Sequence, residues 1–223
     1  MGIPTIEDLF DLSHTAAASF LRQFSYPHEA LPKIADFVRA LTKNLPEELY
    51  ERVGEDVYVA RSAKVAKSAL IEGPTVIGEG AEIRHGAYIR GSALIGAFAV
   101  VGNSCEIKNA ILFDCVQVPH YNYVGDSILG YRAHMGAGAI ASNIRSDKKN
   151  LILRSDGEEM PTALRKIGTF LGDCAEIGCN SVLFPGSIVG RNSIVYPLTR
   201  VRGTVPPDSI CKDTGVFVPR RAD

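Results

Sequence analysis

His120 is the residue best suited to chemistry in this chain of 223 residues. Lys108 lies twelve residues before it, Tyr121 and Tyr123 follow it closely, and Asp126 comes next. A neutral imidazole accepts protons near pH 7, so a histidine among hydroxyl and charged groups can act as a general base. A surface histidine on a loop fits the same position. The residues around His120 therefore predict base catalysis, but they do not indicate which substrate is deprotonated.

Histidines could instead bind a metal ion. His85, His120 and His134 are the candidates in the central region, but His120 and His134 are 14 residues apart and His85 lies 35 residues before His120. A three-histidine zinc site between repeat coils favours two ligands close in sequence and a third one or two coils away. The spacing therefore disfavours a zinc lyase, and we expect no metal.

A six-residue repeat must position these side chains. Aliphatic residues recur every sixth position from 59 to 107 and again from 171 to 201, and most follow a small residue by two positions. A hexapeptide period is the signature of a parallel β-helix, in which each hexad supplies one strand and one corner. The aliphatic residues should point inward, and the glycines after many of them should supply positive φ at corners. The repeat residues are Val59, Val65, Ile71, Ile77, Ile83, Ile89, Ile95, Val101 and Ile107, then Leu171, Ile177, Leu183, Val189, Val195 and Val201.

The chain divides into three regions around this repeat. Residues 1–52 read as an α-helical N-terminal cap, with Ile34, Phe37, Val38 and Leu41 at amphipathic spacing. Because a repeat coil leaves its first turn open, we expect these helices to form a lid over it, although a separate partner-binding module is an alternative. Residues 53–205 form the β-helix, and residues 206–223 form a C-terminal tail.

The repeat is interrupted twice. The first break covers residues 113–126 and contains His120. The second, near residues 144–169, is longer and charged. Extrusions from a rigid repeat often carry function, although solvated loops without a role are an alternative.

Composition limits the function classes. The 24 Lys and Arg balance 25 Asp and Glu, which gives no reason to expect binding to nucleic acid or membranes. Five cysteines without a C-x-x-C pair favour reduced thiols in the cytoplasm over a disulfide framework. Neither a leader peptide nor an apolar stretch of about 18 residues is evident in the sequence.

The segment from His120 to Asn143, HYNYVGDSILGYRAHMGAGAIASN, resembles a known family. H-x-x-Y-x-G-D followed by x-G-A-G-x-I-x-x-N is similar to the acetyltransferase domain of bifunctional N-acetylglucosamine-1-phosphate uridylyltransferase/glucosamine-1-phosphate acetyltransferases. The match extends over about residues 55–205 and also includes Arg90 and Glu106–Ala110. The resemblance implies an all-β fold, a left-handed parallel β-helix of hexapeptide repeats, that assembles as a homotrimer with active sites between subunits.

The resemblance also implies roles for individual residues. His120 would be the general base for the attacking sugar amine. Four substrate-binding residues would hold the phosphorylated sugar, and a fifth, His134, stands near it. Three residues would face acetyl-CoA, which serves as co-substrate. The substrate-side residues are Arg90, Lys108, Tyr123, Lys149 and His134, and the cofactor-side residues are Ala137, Asn143 and Cys179.

The chain departs from that family in three places. A preceding nucleotidyltransferase domain is missing and about 50 helical residues stand there instead, so uridylylation is not expected. His134 replaces an asparagine and Ile144 replaces a tyrosine, both near the sugar or the cofactor. The insertion at residues 150–170 is longer than the family's loop and is similar to that of sugar-1-phosphate nucleotidyltransferase-like proteins. In a trimer, that insertion could reach the neighbouring subunit's site.

Two hypotheses follow. The first is an acetyl-CoA-dependent N-acyltransferase acting on a glucosamine-1-phosphate-like amino-sugar phosphate, because six polar residues of the family pattern are present together. The second is a non-catalytic coil that binds a sugar nucleotide, or that trimerises a separate nucleotidyltransferase. The missing domain and the two substitutions near the site favour the second.

Overall fold

The hexads fold as short strands that stack into the three faces of a parallel coil in the computed structural model, which describes residues 2–220. Face 1 is built from β4 (Leu70–Glu72), β7 (Tyr88–Arg90), the first halves of β10 (Glu106–Leu112) and β12 (Tyr123–Leu129), β14 (Ile140–Ala141), β19 (Val182–Leu183) and β22 (Arg200–Val201). The predicted all-β repeat fold is confirmed.

The other two faces follow the same parallel stacking. Face 2 contains β2 (Val57–Ala60), β5 (Thr75–Ile77), β8 (Ala93–Ile95), the second halves of β10 and β12, β17 (Thr169–Leu171), β20 (Ser187–Val189) and β23 (Thr204–Val205). Face 3 contains β3 (Lys64–Val65), β6 (Glu82–Ile83), β9 (Val100–Asn103), β11 (Gln117–His120), β13 (His134–Met135), β18 (Glu176–Ile177), β21 (Ile194–Val195) and β24 (Ser209–Asp213).

Short helices form most of the region before the coil. These are α1 (Ile6–Leu9), α2 (Ala18–Leu21), α3 (Pro27–Ala30) and α4 (Ile34–Thr42), with 3₁₀ turns at Leu12–His14 and Leu31–Lys33. Thr5 caps α1, because its hydroxyl accepts from the Asp8 amide while the Asp8 carboxylate accepts from the Thr5 amide. No helix among residues 2–220 is long and apolar enough to cross a membrane.

The predicted lid over the first turn is wrong, because the N-terminal segment (residues 2–49) runs along the side of the coil. The Leu9 carbonyl accepts from the Asp173 amide at 3.0 Å, and the His14 carbonyl accepts from the Asp114 amide at 3.1 Å. Helix α4 packs against β5, β8 and β10. The segment therefore covers face 2 from the late coils back to the first.

The side chains of face 2 explain this position. Strand alternation points one residue of each strand outward, just before the inward aliphatic residue. From β5 to β20 these outward residues of face 2 are themselves apolar and no more than 2% exposed, and they join one core cluster with the helices. Burying a second apolar row gives the helices their docking surface. The row is Val76, Leu94, Ile111, Ile128, Phe170 and Ile188.

At each end of the coil one antiparallel strand pairs with one of the terminal strands. Strand β1 (Tyr50–Gly54) pairs with β2, and β25 (Val216–Pro219) pairs with β24. Residues 206–220 thus contain strands where the sequence predicted a tail. Strands β3 and β4 keep a free edge, and Val65 is 39% exposed, so its predicted inward burial is wrong. The division into three domains stays a prediction.

The glycines after the aliphatic residues have a different role from the predicted one. Positive φ at the corners falls two residues later, largely on non-glycine residues such as Phe98 and Cys174. The glycine itself is needed because coils approach closely: a Cβ at Gly102 would collide with the Pro119 backbone of the next coil. Corner stacking, and not backbone conformation, selects glycine there.

The predicted break at residues 113–126 is wrong, because the coil continues through it. Val118 pairs with Val101 and Val124 pairs with Ile107, each 17 residues on. The coils here have 17 residues because the corner at Asn109 is one residue shorter. His120 therefore ends a regular strand, β11, and does not lie on an extruded loop.

The second break is an extrusion, as predicted. It leaves the corner between faces 1 and 2 after Asn143 and contains the antiparallel hairpin of β15 (Ile152–Ser155) and β16 (Glu158–Pro161). The hairpin packs on its own coil, since Leu151 and Leu153 are buried beside Gly186. The Thr204 hydroxyl donates to the Arg154 carbonyl at 2.8 Å.

Candidate functional site

His120, Ala137 and Cys179 stack in successive coils at the corner between faces 3 and 1, which we call the histidine corner. The Gly138 amide donates to the His120 carbonyl at 3.0 Å, and the Asn180 amide donates to the Ala137 carbonyl at 2.8 Å. The side chains of His120 and Cys179 are exposed. The structure thus brings the predicted base into line with two of the three predicted cofactor-side residues.

A buried asparagine fixes the turn that presents His120. The Asn122 carbonyl oxygen Oδ1 accepts from the His120 amide at 3.1 Å, while Nδ2 donates to the carbonyls of Gly136 and Ala139 at 2.8 and 3.0 Å. Tyr121 between them has a φ of 52°. Asn122 was not among the predicted site residues, and only its place inside the H-x-x-Y motif signals it.

Tyr123 starts its strand on face 1 beside the histidine corner, while Lys108 and Arg90 lie at the other end of face 1, before the corner at Asn109. Glu106 pairs with Tyr123 in register, and Lys108 pairs with Gly125, so their side chains point outward. The Arg90 guanidinium donates to the Glu106 carboxylate at 2.6 Å. Lys108 makes no ion pair within residues 2–220, which leaves its ammonium available to an anion.

Asn143 joins two residues that were not predicted as site residues. Asn109, Asp126 and Asn143 stand one above another at the corner between faces 1 and 2, and we call them the amide ladder. Asn109 Nδ2 donates to Asp126 Oδ1 at 2.9 Å, and Asn143 Nδ2 donates to Asp126 Oδ2 at 2.6 Å. The spacing of 17 residues between neighbours was the available sequence signal.

The ladder connects to the predicted substrate tyrosine. Asn143 Nδ2 also donates to Tyr123 Oη at 2.9 Å. Burial raises the pKa of Tyr123, the charges of Asp126 and Glu106 raise it further, and the hydrogen bond from Asn143 opposes them. The phenol is therefore protonated at neutral pH.

His134 lies on face 3, away from Tyr123. Its Nδ1 is 2.8 Å from the Glu176 carboxylate of the next coil, and both side chains are partly exposed. They share a polar groove with Gln117 and Arg132. His134 is thus paired within its own face, and its predicted contact with the sugar stays a prediction.

Lys149 lies in the insertion with an exposed side chain. Its backbone amide donates to Asp147 at 3.2 Å, while Arg145 forms two bonds to the same carboxylate at 2.8 and 2.7 Å. These bonds from Arg145 and the Lys149 amide hold the pKa of Asp147 well below its usual range. The Lys149 side chain has no hydrogen bond or ion pair with the described residues.

A cleft separates the insertion from the lower part of face 1. It is lined by Ser142 and Phe184 from the coil, by Arg202 below them, and by Ile144 and Arg145 from the insertion. The described residues hold no group of three or more His, Cys, Asp or Glu placed to bind a metal ion.

Comparison with known proteins matches the same part of the chain. A family model described as the GMPPB C-terminal domain matches residues 71–153. Bifunctional protein GlmU of Methanococcus maripaludis is 39% identical over 93 residues, which is 42% of this chain and 22% of that protein. A bifunctional sugar-1-phosphate nucleotidylyltransferase/acetyltransferase of Sulfurisphaera tokodaii is 32% identical over 94 residues, 42% of this chain and 23% of that protein.

The chain thus spans under a quarter of the length of these two relatives. Among solved structures, an acetyltransferase from Bacillus cereus covers 70% of this chain and 77% of its own, with 15% identity and a TM-score of 0.46. A perosamine N-acetyltransferase variant from Caulobacter crescentus, in complex with CoA and GDP-perosamine, covers 69% and 51%, with 19% identity and a TM-score of 0.36.

A shorter relative matches over most of its length. The uncharacterized acetyltransferase YaiX of Escherichia coli is 31% identical over 156 residues, which is 70% of this chain and 67% of that protein. The predicted resemblance to hexapeptide-repeat acyltransferases is confirmed. By its repeat, its fold and this relative, the chain belongs to the hexapeptide-repeat acetyltransferase family.

Proposed function

We propose that this protein transfers an acetyl group from acetyl-CoA to the amine of an amino-sugar phosphate similar to glucosamine-1-phosphate. The observation that carries the proposal is the placement of His120 at the histidine corner, with Tyr123 starting the next strand on face 1. A base at one side of face 1 and an available cation, Lys108, at its other side thus flank Tyr123.

The reaction needs few groups. The sugar ammonium first loses one proton to solvent, which frees the nitrogen lone pair. His120 then takes a second proton from the nitrogen as the amine attacks the thioester carbonyl. The tetrahedral intermediate then collapses, the C–S bond breaks, and the CoA thiolate takes the proton back from the imidazolium. A new C–N amide bond and free CoA thiol are the products.

The two substrates approach from different sides in this proposal. Acetyl-CoA lies along the histidine corner, where Ala137 and the exposed Cys179 leave room beside the backbone. The sugar phosphate lies on face 1 over Lys108 and Tyr123. Asn143 then serves the sugar side, because both of its side-chain hydrogen bonds go to Tyr123 and Asp126.

The site requires a second wall. Face 1 and the histidine corner are convex, and outward side chains on a convex coil cannot enclose a ligand. We therefore propose a homotrimer in which a neighbouring copy covers the corner, with Lys149 of the insertion as a further substrate-side cation. Light scattering that shows a monomer would contradict this arrangement. We also propose a cytoplasmic location, because all five cysteines are free thiols, as is typical of a reducing compartment.

A thiol-release assay tests the activity. Acetyl-CoA is incubated with a panel of amino-sugar phosphates that includes glucosamine-1-phosphate, using wild-type protein and the His120→Ala variant. We expect His120→Ala to lose about 10²–10⁴-fold of the turnover, the usual contribution of a general base.

His85→Ala is the matched control. His85 is exposed at the same corner, two coils earlier, with Nδ1 2.7 Å from the Ser68 hydroxyl. We expect this variant to keep wild-type turnover. The absence of thiol release with every acceptor in the wild-type protein would contradict the proposed activity.

A non-catalytic role is the second candidate, favoured by two ion pairs. Arg90 is engaged by Glu106 and His134 by Glu176, so two predicted substrate-side residues already have partners. Under this hypothesis the coil binds a sugar nucleotide or trimerises a nucleotidyltransferase. Calorimetric binding of a sugar nucleotide without thiol release would support it, and a pull-down would then test for the nucleotidyltransferase.

A further inference from the structure

A continuous set of hydrogen bonds connects the N-terminal segment to Tyr123. Asn109 Nδ2 donates to the Leu31 carbonyl at 3.3 Å and to Asp126 Oδ1 at 2.9 Å. Asn143 Nδ2 donates to Asp126 Oδ2 at 2.6 Å and to Tyr123 Oη at 2.9 Å. Each residue of the amide ladder belongs to a different coil, so the set crosses three coils in register.

Asp126 fixes the direction of these bonds. An ionised carboxylate only accepts hydrogen bonds, so both asparagines must turn their NH₂ groups toward it. Asp126 is 6% exposed and Asn143 is 9% exposed, which keeps water from competing for these bonds. The orientation of the Asn143 amide is therefore set by Asp126.

That orientation determines what Tyr123 can offer a ligand. Because Tyr123 Oη accepts a hydrogen from Asn143, its own proton remains available for donation. A ligand atom facing Tyr123 must then be an acceptor, such as a phosphate oxygen. With the opposite amide orientation, Tyr123 would donate to Asn143 Oδ1 and have no proton for a ligand.

The absence of a side chain at Gly125 leaves the space in which the Tyr123 hydroxyl meets the Asn143 amide. A Cβ at residue 125 would collide with Tyr123 Oη and would lie 2.8 Å from Asn143 Nδ2. The φ of Gly125 is not positive, so backbone conformation does not demand glycine there. The absent side chain leaves room for the hydroxyl and the amide to meet.

We propose that Asp126 and Asn109 are positioning residues that hold Tyr123 as a hydrogen-bond donor to an anionic oxygen of the acceptor substrate. The Leu31 carbonyl of the N-terminal segment contributes the last bond of this set. The inference rests on the proposed function, since it assigns the acceptor's phosphate to Tyr123.

The charges around Tyr123 make such a donor necessary. Glu106 stands opposite Tyr123 in register, Asp126 lies behind it, and Arg90 is neutralised by Glu106. Glu106 and Arg90 cancel each other and Asp126 balances Lys108, so these four residues offer a phosphate no net positive charge. A fixed hydroxyl donor beside Lys108 adds a charge-assisted bond to the anion.

A double-mutant cycle tests the proposal. Asp126→Asn keeps the shape but turns an NH₂ group toward one asparagine, so Asn143 rotates and takes the Tyr123 proton. We expect the acceptor KM to rise about tenfold, the value of one hydrogen bond to a charged group, with kcat and the acetyl-CoA KM nearly unchanged. In a Tyr123→Phe background, Asp126→Asn should add nothing further.

Two other variants complete the cycle. Asn109→Ala leaves Asp126 charged and should raise the acceptor KM by a smaller factor. Asp173→Asn changes a buried aspartate at another corner and should leave the acceptor KM unchanged. If Asp126→Asn raised the acceptor KM equally in the wild-type and Tyr123→Phe backgrounds, its role would be merely structural and the proposal would be overturned.

A titration without turnover gives an independent result. The difference in ultraviolet absorbance between wild type and Tyr123→Phe isolates the Tyr123 phenol. Removing the Asp126 charge lowers the Tyr123 pKa, whereas rotation of Asn143 removes a hydrogen bond that also lowers it. Asp126→Asn should therefore lower the Tyr123 pKa less in the native background than in an Asn143→Ala background, and equal shifts would overturn the coupling. If wild-type protein releases no thiol while these two shifts differ, the proposed activity fails and the positioning of Tyr123 stands.

Discussion

Faces 1 and 2 share strands β10 and β12 and differ in what their outward residues do. In β12, Ile128 points outward on face 2 and is fully buried under the N-terminal segment. Tyr123 of the same strand points outward on face 1 and stays partly open. Face 2 is therefore an internal interface with the N-terminal segment, and face 1 carries the candidate site.

The difference shows how a coil without clefts acquires function. The inward rows of both faces are aliphatic and stabilise the coil alike. The outward row alone decides whether a face attracts the chain's own helices or remains free for a ligand. The corners between the faces then hold the polar groups: the histidine corner on one side of face 1 and the amide ladder on the other.

The largest expected effect comes from truncating matched isoleucines on the two faces. Ile128→Ala on face 2 should lower the free energy of unfolding by about 2–5 kcal/mol, because it opens a cavity between coil and helices. Ile140→Ala on face 1 should cost about 0.5 kcal/mol or less, since Ile140 is partly exposed. Urea unfolding measures both, and equal losses would contradict the comparison.

The second largest effect is expected from adding a methyl group at Gly125 on face 1. Gly125→Ala should push Tyr123 Oη and the Asn143 amide apart, raising the acceptor KM by about tenfold or more. Stability should change less, because flexible side chains can move. Steady-state kinetics with varied acceptor checks this, and Ser142→Ala in the next coil of the same row is the control. An unchanged acceptor KM would contradict the proposal that Tyr123 binds the acceptor substrate.

The anchor of the N-terminal segment should respond to pH. Asp173 is buried, which raises its pKa, although hydrogen bonds from the Asp11 and Tyr131 amides oppose the shift. A raised carboxyl pKa means that its stabilising contribution is complete below the ordinary value of 3.8 and is lost as pH rises through the folded-state pKa.

Asp173→Asn tests that sign. The variant cannot ionise, so its stability relative to wild type should improve as pH rises from below 3.8 through the raised pKa. Urea unfolding at several pH values measures the trend, with the exposed Asp208→Asn as control. If the stability of the variant relative to wild type fell as pH rises, the carboxylate, and not the acid, would be the stabilising form of Asp173.

The smallest expected effect concerns the ion pair on face 1. Glu106→Gln should leave the unfolding midpoint almost unchanged, because exposed ion pairs contribute little to stability. It should, however, release Arg90 and lower the acceptor KM if the acceptor is anionic. Glu82→Gln, whose partner Arg84 lies on face 3, is the matched control. A higher acceptor KM in Glu106→Gln would favour a carboxylate that recognises the sugar amine.

Some features of the molecule could be predicted from residues alone. The six-residue spacing of Ile77, Ile83, Ile89 and Ile95 requires a stacked coil, because only that period keeps all four side chains in one core. The family motif identified His120, Tyr123 and Asn143. The insertion after Asn143 was also visible, since its charged residues cannot continue an aliphatic row.

Other features depended on contacts between residues distant in sequence. Leu94 and Ile111 precede Ile95 and Leu112 and point outward. The six-residue pattern does not predict which part of the chain packs on such outward residues, so their burial under helices could not be predicted. The break predicted around His120 was wrong because a corner shortened by one residue at Asn109 shifts the register without interrupting it. A six-residue period cannot follow that shift.

The sequence by itself determined the coil, the family and the residues of the motif, because local spacing sets which side chains share a row. The tertiary structure alone decided that the N-terminal segment lies on face 2, that Glu106 neutralises Arg90, and that Asp126 orients Asn143 toward Tyr123. Those outcomes depend on which coil stacks on which, and a change of one residue in a corner alters the pairing of every strand pair that has this corner between its members.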